Sequence, residues 1–291
     1  MSRIKYWMLS AVAAVCCAAS LLVLPAAPQA AESVAPIPMP LYQGRLAGGF
    51  FNAPEPHRDE SVKKYLIPSV RIRVPGAAGS GTICAYDRQK KTAYVISCAH
   101  LYDGVTKPTT IEVFYKNDQK LDTPARYTAT VVSFKKSYYG DDISFLSFQP
   151  DWEPQTWFPI APVDHPVPNN ETLFSCGCDH ASEVACYFVK PMGIDGAFLA
   201  TKENSPRPGR SGGGLIDKEG WYGGICVRTS DVSGNGTGYF VHLRTIHDYC
   251  QQNNLTWLLN VQRPNDLLRM IPIVDRIERQ GTYPPNYVPV P

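Results

Sequence analysis

The sequence predicts an all-β fold: two six-stranded antiparallel β-barrels with a C-terminal helix. Three observations carry this reading. About a dozen short β-rich runs, separated by turn residues, extend from residue 67 to residue 243, the spacing of a sandwich or barrel architecture. A proline-rich interval between Pro150 and Pro168 divides these runs six and six, as a connection between two barrels would. Helical periodicity appears only after the last run. The 26 prolines and 22 glycines among 291 residues fit many turns rather than long helices.

The N-terminus precedes this pattern and is of a different kind. Arg3 and Lys5 stand before a long apolar run that breaks at Pro25 into small residues. That is the pattern of a secretory signal peptide over residues 1–31, with processing between Ala27 and Ala31. The alternative is a retained membrane anchor, since the apolar run is nearly long enough to span a bilayer. Cleavage is the preferred reading, which leaves no stable membrane span and a secreted or periplasmic protein. Residues 32–65 carry prolines and glycines without sustained periodicity and are expected to form a poorly ordered lead-in.

The β-rich domain is expected over residues 66–260. Its first six runs are "SVRIRV", "GTICAY", "TAYVISC", "TIEVFY", "YTATVVSF" and "ISFLSF". The second six are "TLFSCGC", "VACYFVKPMGI", "GAFLATK", "GGLID", "WYGGICVR" and "GYFVHL". The helix is expected in "RTIHDYCQQNNLTWLL", where Ile246, Tyr249, Cys250 and Leu255 fall near one face. A weaker helical stretch, "NDLLRMIPIVDRIERQ", is interrupted by Pro272. It belongs to a C-terminal extension, residues 261–291, that ends in a proline-rich tail.

Charge narrows the partners. Lys and Arg number 28 and Asp and Glu 26, so removing Arg3 and Lys5 leaves 26 of each sign. No basic stripe recurs, so no nucleic-acid partner is expected. Seven cysteines remain beyond the signal segment: Cys84, Cys98, Cys176, Cys178, Cys186, Cys226 and Cys250. In an oxidising compartment some would pair, and an odd number leaves at least one over. Within "CGCDHASEVAC", a Cys178–Cys186 disulfide closing a hairpin is the first reading. Buried packing of Cys176 and Cys178 is the second. A metal site of Cys176, Cys178, His180 and Cys186 is the last.

The stretch "RPGRSGGGLID" sets one serine, Ser211, among four glycines just before an apolar strand. Glycine loses the most freedom on folding, so a cluster of this density marks a backbone that must go where other residues cannot. A serine hydroxyl needs a base to take its proton and a third group to orient that base. Of the six histidines, His100 ends an apolar strand in "VISCAH", with small Ala99 beside it. Asp142 opens the alternating run of "DDISFLSF", where a carboxylate is costly unless hydrogen-bonded. Asp141 is its competitor, but one residue of register turns that side chain to the other face.

"VISCAH", "DDISFLSF" and "PGRSGGGL" together resemble the three signature segments of trypsin-like, chymotrypsin-fold serine endopeptidases of the bacterial secreted type, in the same His, Asp, Ser order. "GSGTIC" is similar to the strand leading into the histidine segment. The resemblance runs from about Val70 to about Cys250. It implies His100 as general base, Asp142 as its orienting partner and Ser211 as nucleophile. It also implies an oxyanion hole from the N–H groups of Gly209 and Ser211. Ser205 aligns with the floor of the pocket that reads the residue before the cut, and Gly238 with its wall. Val227, Arg228 and Thr229 match the strand that pairs with substrate backbone.

Three positions depart from the family pattern. Arg210 stands where animal trypsins carry the aspartate that captures a new N-terminus, so signal cleavage alone should leave a competent site. Ser205 is small and uncharged, so selection for Arg or Lys is not implied. Arg228 stands where an aromatic residue is frequent. It reads as a solvated edge charge in preference to a reader of acidic side chains.

The expected activity is hydrolysis of peptide bonds in a protein or peptide substrate through an acyl-enzyme, without a cofactor. The alternative is a catalytically inactive relative serving as a binding or scaffold module. An ester hydrolase is the third reading, since the same machinery does both. However, Ser211 precedes a strand rather than a helix, and the acid precedes the serine in the chain.

Overall fold

Strands form at all twelve β-rich runs, and they close into two barrels. The computed structural model describes residues 62–264, apart from 103–107, 138–139, 167–170, 181 and 232–235. The signal segment, most of the lead-in and residues 265–291, including the second helical stretch, lie outside the described residues.

The first barrel contains β1 (Ser69–Val74), β2 (Ala77–Asp87), β3 (Thr92–Ser97), β4 (Thr109–Lys116), β5 (Gln119–Lys135) and β6 (Ile143–Phe148), in the closed order β1-β2-β3-β6-β5-β4. The second contains β7 (Leu173–Cys178), β8 (Val184–Asp195), β9 (Phe198–Lys202), β10 (Gly214–Ile216), β11 (Tyr222–Thr229) and β12 (Gly238–His242), in the closed order β7-β8-β9-β12-β11-β10. The connectivity of the first barrel is thus repeated in the second. All strand pairs are antiparallel.

Local chemistry explains the elements. Along β5, half-buried Tyr127, Ala129, Val131 and Ser133 alternate with exposed Arg126, Thr128, Thr130 and Val132, a period-two pattern with one face on the core. The β4–β5 hairpin turns at Asn117, whose φ of +52° suits asparagine better than most residues. Glu112, fully buried on β4, is held by Arg71, by Arg73 at 2.8 Å and by Arg126 at 3.0 Å. Arg71 Nη1 also donates to Ser182 O (3.0 Å), between β7 and β8, and so ties the barrels together.

The proline-rich connection is a strap rather than a loose link. Phe158 N donates to Ile83 O in the first barrel, and Tyr222 N in the second donates to Pro159 O, each at 3.0 Å. Phe158, Ile160 and Ala161 are buried. Past the second barrel, α2 (Leu243–Gln252) returns to the first. His242 caps its N-terminus, and Tyr249 stacks on Phe145 and bonds Ser133. Leu255 is buried as expected, but the helix stops at Asn253–Asn254, where Asn254 has φ +58°, and a 3₁₀ turn (Thr256–Asn260) follows. Among the described residues, no helix is long and apolar enough to cross a membrane.

Three expectations need correction. The ordered domain begins before residue 66. The short helix α1 (Lys63–Leu66) buries Tyr65, whose ring stacks on Phe174 at 3.9 Å. It also continues past residue 260, because Trp157 Nε1 donates to Gln262 O (3.1 Å) and Arg263 stacks on Trp221 at 4.2 Å. Finally, Cys178 does not face Cys186. The β7–β8 register sets Cys178 opposite Val184 and Cys176 opposite Cys186, with the two sulfurs 3.4 Å apart. The structure holds all seven cysteines as buried thiols.

Candidate active site

The candidate site lies where the ends of strands from both barrels meet. His100 lies three residues past the end of β3, and Asp142 immediately precedes β6, which pairs with β3 (Ser97 opposite Ser144). The pairing therefore brings residues 42 apart in sequence to one strand end. His100 Nδ1 donates to Asp142 Oδ2 at 2.6 Å. Asp142 Oδ1 accepts the backbone N–H groups of Ala99 (2.7 Å) and His100 (2.8 Å). Both oxygens of one carboxylate thus fix the position and tautomer of one imidazole. Asp141 is turned away, paired with Lys135 at 2.5 Å.

Ser211 arrives from the second barrel on the turn before β10 and is docked by Ser80 of β2. Ser80 N donates to Ser211 O (2.7 Å), and Ser80 Oγ donates to Gly209 O (2.8 Å). Ser97, within the histidine segment, donates through Oγ to Ser80 O at 2.7 Å. A single serine in the "GSGTIC" strand therefore couples the serine loop to the histidine loop. Its role was not legible in the sequence, because it is a backbone-docking contact across barrels.

The glycines can now be explained. Gly212 has φ +86°, and a Cβ there would lie 2.2 Å from both Ser80 O and Ser97 Oγ. Only glycine lets this turn approach the histidine segment so closely. Gly209 has φ +93°, a conformation L side chains rarely adopt. Around these two, Arg210 N donates to Arg207 O (3.0 Å), Gly212 N to Cys226 O (2.7 Å) and Gly213 N to Arg210 O (2.8 Å). Among the described residues, the N–H groups of Gly209 and Ser211 donate to no protein acceptor. They are the two amides left open beside the hydroxyl.

Ser211 is half-buried, and its Oγ makes no hydrogen bond to His100, whose Nδ1 is engaged by Asp142. His100 Nε2 instead faces the Sγ of buried Cys98 at 3.6 Å. Cys98 O accepts from Ser144 Oγ (2.8 Å), which fixes the loop beneath the imidazole. Burial lowers the His100 pKa, but the neighbouring Cys98 and the hydrogen bond to Asp142 outweigh it and raise the pKa above the usual histidine range. Cys98, His100 and Asp142 place donor atoms within 4.8 Å of one another, but Asp142 takes Nδ1 and Cys98 faces Nε2. The other grouping, Cys176, Cys178, His180 and Cys186, does not converge, since His180 is exposed while the cysteines are buried.

The remaining residues belong to the second barrel and its loops. Ser205 is buried, its Oγ donating to Asp231 O and accepting from Gly236 N, each at 3.1 Å. Gly238 is buried against Pro206 and Thr201, where a Cβ would lie 2.6 and 2.8 Å from them. Val227, Arg228 and Thr229 end β11.

Comparison with known proteins settles the family. A family model described as the trypsin-like peptidase domain matches residues 79–225, which are 147 of the 291. The chain belongs to the trypsin-like peptidase family. Solved structures share its fold. The Rv3671c protease of M. tuberculosis H37Rv, in an inactive form, is 19% identical with a TM-score of 0.50, covering 69% of this chain and 96% of that one. A serine endoprotease from Yersinia pestis is 16% identical with a TM-score of 0.51, covering 70% of this chain and 66% of that one. HBP is 14% identical with a TM-score of 0.52, covering 73% and 98%. At these identities the likeness is one of fold. No curated protein matches the sequence.

Proposed function

We propose that the chain is a serine endopeptidase that cuts peptide bonds through an acyl-enzyme. The observation that carries this reading is the Asp142 carboxylate, whose two oxygens hold the imidazole and the backbone of His100 at the edge of the Ser211 turn. A structural ion pair has no need of a glycine-built turn with two open amides beside it.

In the proposed reaction, substrate binding turns His100 Nε2 from Cys98 to the Ser211 hydroxyl, a bond of the kind that often forms only in the complex. Ser211 Oγ adds to the scissile carbonyl carbon and its proton passes to His100. The oxyanion accepts from the N–H groups of Gly209 and Ser211, a contribution of about 3 kcal/mol to the transition state. The C–N bond then breaks, and the leaving amine takes the proton from His100. Water, deprotonated by the same imidazole, hydrolyses the ester and regenerates Ser211. These steps use the chain's own side chains and backbone amides together with water. The Ser205 pocket floor carries no charge, so we assign it no preference for Arg or Lys. From the signal-peptide pattern of the N-terminus we propose that the activity lies outside the cytoplasm.

The test is labelling of the purified protein by a fluorophosphonate beside Ser211→Ala. Covalent labelling that the substitution abolishes is the expected result. A folded protein that does not label would instead support the non-catalytic scaffold reading, with Cys98 as the partner of His100.

A further inference from the structure

We infer that Arg228 selects substrates carrying an acidic side chain within the three residues before the cut. This deepens the proposed function and rests on it for the direction in which substrate lies. Three features of the second barrel support the inference.

The first is an open strand edge. β10 pairs with β11 only as far as Gly214 opposite Ile225, and Gly212 and Gly213 bond Cys226. Beyond Cys226, the other edge of β11 is paired to β12, with Arg228 opposite Tyr239 and Thr229 opposite Gly238. Among the described residues, the edge of Val227–Thr229 beside the Ser211 turn has no strand neighbour. An extended peptide added there would run past the nucleophile, with alternate side chains offered to the second barrel.

The second is how Arg228 is held. Its guanidinium lies 4.5 Å from the Phe198 ring and 4.6 Å from the Tyr239 ring, and the two rings form an edge-to-face pair. Stacking of this kind fixes a planar cation while leaving its N–H fork open. A solvated edge charge, the preferred sequence reading, needs no such clamp. Gly140, on the loop leading to Asp142, packs so tightly on Ala197 that a Cβ would lie 2.3 Å from the Ala197 Cβ. The clamp that begins at Phe198 is therefore beside the loop of the proposed catalytic acid.

The third is charge. Arg228 is exposed and forms no salt bridge among the described residues, whereas Lys135 and Lys190 each have a carboxylate partner. Asp141, on the neighbouring loop, is taken by Lys135. Ser205 contributes no charge to the pocket, and its hydroxyl is already bonded. Among the described residues, Arg228 is thus a cation without a carboxylate partner at the open edge of β11.

The experiment compares fluorogenic peptides identical except for Glu, Gln or Lys at each of the three positions before the cut, with wild type, Arg228→Gln and Arg228→Glu. The expected result is a three- to fivefold preference in kcat/KM for Glu at one position, roughly the strength of a partly exposed ion pair. Arg228→Gln removes the preference, and Arg228→Glu transfers it to Lys at that position. A Glu-to-Gln ratio that is the same in wild type and Arg228→Gln overturns the inference. A second measurement is independent of turnover: binding of the same peptides to Ser211→Ala, with and without Arg228→Gln. Equal affinities for Glu and Gln peptides overturn the Arg228 assignment, whereas a Glu preference without any hydrolysis by wild type retains it and rejects the peptidase reading.

Discussion

Arg210 and Asp179 form a buried ion pair one residue from the candidate nucleophile. Arg210 Nη2 reaches both carboxylate oxygens, at 2.7 and 2.6 Å, and Nε reaches Oδ1 at 2.9 Å. The guanidinium lies 3.6 Å over the Tyr187 ring, and the Tyr187 hydroxyl donates to Asp179 Oδ2 at 2.5 Å. The next residue, His180, bonds Pro208 O through its backbone N–H at 2.6 Å. The β7–β8 turn therefore grips the Ser211 turn by a side chain and by the backbone, and the grip is entirely internal to the chain.

Removing either charge should be costly. Arg210→Gln or Asp179→Asn leaves the other group buried without its partner, and each is expected to destabilise by about 3–5 kcal/mol in urea unfolding. The double variant Arg210→Met/Asp179→Leu should recover most of that loss. Because the pair needs no new N-terminus, acetylating the mature amine should leave fluorophosphonate labelling unchanged. An acetylated protein that no longer labels would show that a terminal amine completes the site after all.

Gly212→Ala combines two penalties in one methyl. The backbone has φ +86°, and the new Cβ would press on Ser80 O and Ser97 Oγ at 2.2 Å. The strain alone is worth about 1–3 kcal/mol, and relief of the contact must push the Ser211 turn off the histidine segment. The expected outcome is a lowered Tm together with loss of labelling. Gly223→Ala is the control, since a Cβ there meets only Leu215 O at 3.7 Å.

The sequence carried the elements and the three residues of the proposed triad, but not what joins them. Each strand was visible because its apolar run and flanking turn residues are local. The order β1-β2-β3-β6-β5-β4 was not, because it depends on pairings between distant strands. The α1 turn was missed because four residues show no periodicity and the turn is held by Tyr65 against Phe174. Arg210 was conspicuous in the sequence, yet its partner Asp179 lies 31 residues away and is identified only by the β7–β8 turn. The same turn decides that Cys176, not Cys178, faces Cys186.

Cys98 should set the pH dependence of the proposed base. Burial lowers the His100 pKa, while Cys98 and Asp142 together raise it above the ordinary value. A raised pKa keeps the imidazole protonated to higher pH, so the labelling rate should climb only above the usual histidine range. Cys98→Ala removes one of the raising influences, and the climb should move to lower pH. Profiles of labelling rate against pH for the two proteins make the comparison. Superimposed acid limbs would mean that Cys98 does not act on His100.

A second His–Asp pair, away from the site, should govern stability against pH. His165 Nε2 and Asp217 Oδ2 are 2.6 Å apart, and Asp217 Oδ1 also accepts Trp221 N at 2.9 Å. The hydrogen bond to Asp217 raises the His165 pKa, against a smaller lowering by burial. Since the folded pKa lies above the unfolded value of about 6.5, the pair's contribution is complete below that value and declines as pH rises through the folded pKa. Urea midpoints measured from acid to mildly alkaline pH should therefore fall across this window in wild type. His165→Gln should be less stable than wild type at the acid end and converge with it at the alkaline end. Parallel curves for the two proteins would assign the pair a packing role without a proton.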